Sequence, residues 1–175
     1  LFPASWVKEI GGIRIGFVGI NDPDVPVRQN PIFSKGIGFS GLDDNLKKMV
    51  DDFKVNEKVD VLFLVTHLGI FKQVELANNA IAENADYVLG NDTHERVREP
   101  IQGKYAKVTE PGAFGSFVGK LTLHFVDGKL IGDDYELIDV DLEVYPADKT
   151  IQTLVDAEKA PYKAHLETIV GYTNT

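Results

Sequence analysis

The sequence predicts an α/β protein in which a parallel sheet is followed by antiparallel strands. Two observations carry this. The runs VDVLFLVT (59–66) and ADYVL (85–89) are apolar stretches without polar alternation, as in strands covered on both faces, and helical patterns lie between the strand candidates. From residue 106 onward the pattern changes to alternation around Asp127-Gly128, which reads as antiparallel strands joined by a tight turn.

Taken in order, GGIRIGFVGI (11–20) is a strand ending at Asn21-Asp22-Pro23. Residues 21–39 carry three prolines and no period, so they read as a long loop. SGLDDNLKKMVDDFK (40–54) is a helix with an apolar stripe of Leu42, Leu46, Met49, Val50 and Phe53. Ser40 followed by Asp43 resembles a capping box at its start. Residues 59–66 form the next strand, Gln73–Asn84 a short helix and Ala85–Leu89 a third strand, giving a βαβαβ order with parallel pairing. Ala106–Glu110 is a short strand, and an antiparallel sheet is expected across 106–141. Residues 148–169 form a last helix, interrupted near Pro161.

Composition narrows the chemistry. The chain has 175 residues, 43% of them hydrophobic and 26% charged, enough for one domain with a real core. Its formal net charge of −9 argues against a nucleic-acid or anionic-membrane surface. With no cysteine, thiolate metal sites, disulfides and cysteine nucleophiles are excluded, so any metal must use histidine, carboxylate, amide or water. The run Val59–Val65 contains Asp60 and is too short to span a bilayer. The opening LFPASWVKEI has neither an initiator methionine nor a signal peptide, and is expected to be the start of a fragment.

The chemistry-bearing residues stand where strands end. His67 follows the run 59–66 in THLG, and LGNDTHERV (89–97) packs Asn91, Asp92, His94, Glu95 and Arg96 just beyond the third strand. In open α/β sheets ligands gather at the carboxyl edge, and glycines at 69 and 90 permit close backbone approach there. Imidazole and carboxylate suit Zn, Mn or Fe, and Asp92-x-His94 can aim two ligands at one cavity. The plainer readings are a loop histidine and an Asp92-Thr93 cap on the next turn, with Glu95 and Arg96 a surface ion pair. His124 reads as an exposed strand residue, His165 as a helical residue without chemistry, and Asp133-Asp134 as a solvated strand face.

The motifs VDVLFLVTHLG, ADYVLGNDTHERV, KVTEPGAFGSFVGKLTL and APYKAHLETIVGYTNT, in this order, closely resemble the 5′-nucleotidase family of calcineurin-like metallophosphoesterases. The resemblance implies part of a metallophosphoesterase β-sandwich flanked by helices. Residues 1–147 would be the second half of the catalytic domain, and 148–175 a helix and linker towards a nucleotide-binding domain. It implies two divalent ions (Mn, Zn, Fe or Mg), with His67 and position 92 serving one ion and His94 the other. Position 92 is Asp where the family usually has His, which implies a changed metal preference. The family's earlier motifs, including the bridging aspartate and the catalytic histidine, have no counterpart here. The implied function is therefore a fragment of a two-metal phosphoester hydrolase acting on nucleotides or related esters and inactive alone. Its partner would be the N-terminal half of the same domain, and its location periplasmic, secreted or cell-surface. The alternatives are a non-catalytic metallophosphatase-like scaffold and a flavodoxin-like ligand-binding domain, the latter fitting the βαβαβ start but not the antiparallel second half.

Overall fold

The computed structural model describes residues 3–173, so the first two and last two residues of the opening and closing stretches quoted above lie outside it. The chain divides into two compact units, one ending at Asp139 and the other beginning at Val140.

The first unit holds a six-stranded sheet in the order β1-β2-β3-β4-β6-β5 and a separate two-stranded ribbon, β7-β8. Strands β2 (Ile13–Ile20), β3 (Val61–Thr66), β4 (Tyr87–Leu89) and β6 (Lys107–Thr109) run parallel to their neighbours. Antiparallel edges flank them: β1 (Ser5–Ile10) on β2 and β5 (Ile101–Gln102) on β6. The turn between β1 and β2 is Gly11-Gly12 at φ +59° and +81°, the pair of positive angles that a two-residue hairpin needs.

Burial on β3 explains why its sequence does not alternate. Leu62 and Leu64 face a core completed by α2 (Asp44–Glu57) and α3 (Ile70–Asn78), while Val61 and Phe63 face the other way. That opposite face packs on β7 (Phe117–Val126) and β8 (Lys129–Asp139) through Leu121, Leu123, Phe125 and Leu130. Each fully buried leucine contributes about 1.5–3 kcal/mol relative to exposure. An aromatic row crosses this face, one ring per strand: Trp6, Phe17, Phe63 and Tyr87 stack with centroids 4.8, 5.4 and 5.2 Å apart. The row follows the register, since Trp6 pairs Phe17, Phe17 pairs Phe63 and Phe63 pairs Tyr87. Between sheet and ribbon remains a cavity of about 440 Å³ lined by Phe17, Phe63, Leu89, Leu121 and Tyr135. The Tyr135 hydroxyl is buried there without a hydrogen-bond partner among the described residues.

The fold class expected from sequence holds, with differences in detail. Residues 107–109 join the parallel sheet, so the antiparallel sheet is the β7-β8 ribbon alone and does not extend across 106–141. The cap of α2 is Asp43, whose side chain accepts from the Leu46 amide at 3.0 Å, and Ser40 lies before the helix. The long loop contains a short helix, α1 (Val25–Arg28), and a 3-10 turn at Pro31–Ser34. Asp133 is not simply solvated: its carboxylate pairs with the Lys107 ammonium and takes a hydrogen bond from the Tyr87 hydroxyl. His124 stands half-exposed and bonds Asp134 at 2.6 Å.

The second unit contains α4 (Lys149–Lys159), a 3-10 turn at Ala160–Tyr162 and α5 (Lys163–Leu166). Asp148 caps α4 by accepting from the amides of Thr150 and Ile151. The break falls at Pro161, which has no amide hydrogen to continue the helical ladder. Among the described residues no helix is long and apolar enough to cross a membrane.

Candidate metal centre

Because β2, β3 and β4 are adjacent and parallel, their carboxyl ends open onto one edge. His67 follows β3, Gly90-Asn91-Asp92-Thr93-His94 follows β4, and Asn21-Asp22 follows β2. The sequence reading used the first two exits and missed the third, although the same strand-end argument applies to it.

The β4 exit is shaped from beneath by Glu110, which is fully buried next to β6. One carboxylate oxygen accepts from the Glu95 amide at 3.0 Å and the other from Gln73 Nε2 at 2.8 Å, while the Thr93 hydroxyl stands 3.3 Å from both. Gln73 is also fully buried and donates to the Asn91 carbonyl at 2.9 Å. Thr93 in turn accepts from the Ile70 amide at 2.9 Å and so caps α3 from across the site. This clamp holds Asp92 at φ +97° and His94 at φ +63°, angles that cost a non-glycine residue about 1–3 kcal/mol each.

Asp92 does not cap the turn that follows it. Both its oxygens accept from the Arg28 guanidinium, at 2.7 and 2.9 Å, a bidentate pair. Arg28 also reaches Asp22, whose fully buried carboxylate accepts from Arg28 at 2.5 Å, Lys72 at 3.0 Å and the Asp24 amide at 3.0 Å. Burial pushes the Asp22 carboxyl up, but the Arg28 hydrogen bond, the Asp24 amide and Lys72 outweigh it and hold the group at about 2. Arg28 likewise holds Asp92 below its ordinary value against the opposing effect of burial.

The Asp22 value gives a pH dependence of defined sign. Its folded pKa lies below the ordinary value of 3.8, so its stabilisation is full above that value and is lost as pH falls towards about 2. The shift corresponds to about 2 kcal/mol. Urea denaturation of wild type and Asp22→Asn at pH 7 and pH 2.5 is expected to show the wild-type advantage shrinking by about 1.5 kcal/mol at the lower pH. A difference independent of pH would refute this assignment.

The imidazole of His67 is half-exposed, with Nε2 3.9 Å from Asp92 Oδ1. Two ligands of one ion, each about 2.0–2.2 Å from it, stand at most ~4.4 Å apart, so this pair fits a single ion by distance and by donor chemistry. His94 is placed differently: its ring is exposed and meets Phe114 edge-on at 5.1 Å. Among the described residues no three histidine or carboxylate side chains stand close enough to enclose an ion, and Glu95 and Arg96 form no ion pair.

A parallel sheet with three loop exits at one carboxyl edge, backed by an antiparallel ribbon, defines an α/β protein whose candidate site lies at that edge. The curated 5′-nucleotidase of Vibrio vulnificus is 25% identical to the chain over 98% of it and 36% of the relative's length. A second, from Vibrio cholerae, is 26% identical over 82% of the chain and 31% of its own length. The chain thus spans about a third of these relatives. Among solved structures, the sulfate thiohydrolase SoxB of Thermus thermophilus superposes with a TM-score of 0.81 at 25% identity, over 96% of the chain and 30% of that protein. The NAD nucleotidase NadN of Haemophilus influenzae shares the fold with a TM-score of 0.64, over 96% of the chain and 43% of its own. No family model matches the chain. The chain is thus similar to proteins of the 5′-nucleotidase/metallophosphoesterase family and covers only a fraction of their length.

Proposed function

We propose that residues 1–147 are the second half of the catalytic domain of a phosphoester hydrolase acting on nucleotides or related esters, with 148–175 leading towards a nucleotide-binding domain. The observation that carries this is the meeting of His67 and Asp92 at the ends of adjacent parallel strands, in a chain similar to 5′-nucleotidases along nearly its whole length. His67 and Asp92 would hold one of two divalent ions and His94 would serve the other. Such ions, when bound, polarise phosphoryl oxygens and lower the pKa of a water. The residues of this chain act as ion holders, and the clamp on residues 91–95 sets their direction. The ions are Mn, Zn, Fe or Mg, and the carboxylate at position 92 favours the harder Mn or Mg.

The other half of the domain is the natural partner. Trp6, at the outer end of the aromatic row, is 44% exposed, so the apolar face on β1 is open to further cover. The proposal places the protein in the periplasm, outside the cell or at its surface, as the sequence resemblance implies. The bidentate Arg28–Asp92 pair favours a second reading, a binding module without catalysis, because it occupies the carboxylate that an ion would use.

One experiment separates these. The full-length parent is expected to hydrolyse AMP or p-nitrophenyl phosphate with Mn²⁺. His67→Ala should lower that rate by more than the roughly 10–100-fold typical of losing an outer-shell metal partner. The 175-residue chain alone should match buffer. An inactive parent supports the binding module, and metal-dependent turnover by the pure chain would overturn the assignment of catalytic groups to the other half.

A further inference from the structure

Arg28 stands where it decides whether Asp92 is available at all. Its guanidinium occupies both Asp92 oxygens and at the same time reaches buried Asp22. A guanidinium held on both oxygens takes the lone pairs that face it and adds a positive charge there, so it opposes a divalent ion on this carboxylate.

The surroundings allow the arginine to leave. Arg28 ends α1, a four-residue helix with no buried residue, and its side chain is 48% exposed. Segments with so little burial open at low cost. Asp22 keeps two partners when Arg28 departs, the Lys72 ammonium and the Asp24 amide, so its buried carboxylate is never stranded. Asp92 by contrast is left with His67 as its neighbour, the pair spaced for one ion. Without Arg28, Lys72 still pairs with Asp22 and Asp24, but Asp92 has lost its guanidinium, and the local charge turns towards a cation.

We propose that Arg28 is a built-in counter-cation that closes Asp92 against divalent ions, and that its release sets the ion affinity of this site. The inference rests on the reading of Asp92 as an ion ligand. A carboxylate suits this role where a neutral imidazole would not, since imidazole makes no bidentate pair with a guanidinium.

The test uses the 175-residue chain and Mn²⁺ alone, read by paramagnetic broadening of the backbone amide signals of residues 91–95, which detects weak binding. Arg28→Met is expected to reach half-maximal broadening at a Mn²⁺ concentration at least about ten-fold below that of wild type, because a competing unit charge a few ångströms away is gone. Arg28→Gln provides a second, polar replacement should the first fold poorly, and is expected to shift in the same direction. Adding Asp92→Asn to either should abolish the gain. Broadening that Asp92→Asn weakens but that neither arginine variant strengthens would overturn the role of Arg28 and leave the ion-ligand reading standing. Broadening absent from 91–95 in every variant, or indifferent to Asp92→Asn, would overturn that reading and this inference together.

Discussion

Replacing Glu110 with alanine is expected to destabilise the protein by about 3–5 kcal/mol, because it strands several buried donors and leaves a cavity. The carboxylate is fully buried, and the Glu95 amide, the Thr93 hydroxyl and Gln73 Nε2 all point at it. The effect should be local before it is global. The loop it clamps holds Asp92 and His94 at positive φ, and the Arg28 pair to Asp92 ties down one position of it only. Hydrogen exchange at the Glu95 amide should therefore accelerate more than exchange in β3. Glu110→Gln keeps one acceptor oxygen and the shape of the side chain, and should cost only about 1–2 kcal/mol. An alanine variant within about 1 kcal/mol of wild type by urea denaturation would mean that the loop holds its conformation without Glu110.

The second large effect is expected at Gly90. A Cβ built there would lie 1.9 Å from Gln73 Oε1, 2.3 Å from its Cδ and 2.6 Å from its Nε2. Gln73 has no room to retreat, because it is fully buried and its amide nitrogen is engaged with the Leu68 and Asn91 carbonyls and with Glu110. Gly90→Ala should cost about 3–5 kcal/mol, summing an overpacking cost and the loss of buried hydrogen bonds. Gly41→Ala, where an added Cβ meets nothing within 4 Å, is the matched control and should stay close to wild type. Equal melting temperatures for the two variants would show that the Gln73 side chain has another place to go.

Much of the site was legible from strand ends. His67 and Asp92 stand just past apolar runs, and adjacent parallel strands carry them to one edge, as period and composition imply. Asp22 was not read as part of it, because a proline-rich loop gives no periodic signal and the contacts that tie this loop to the site are long-range. Lys72 is 50 positions away, and Arg28 is 64 positions from Asp92. Helix starts show the same division. For α2 the cap is local, Asp43 to Leu46, and an error of three residues arose only in choosing between Ser40 and Asp43. For α3 no local cap exists, and the helix begins at Ile70 because Thr93 reaches over from the next strand's loop.

Sequence alone therefore determined the class of fold, the parallel order of β2, β3 and β4, and the strand ends at which polar residues collect. These follow from hydrophobic period and turn chemistry, which are properties of neighbours in the chain. Tertiary structure alone decided which of those polar groups meet. It set Arg28 on Asp92, sent the ring of His94 to Phe114, and placed Glu110 beneath the loop. A buried carboxylate or a bidentate ion pair is chosen by three-dimensional proximity and by the cost of leaving a polar group unpaired, and neither leaves a mark in local spacing.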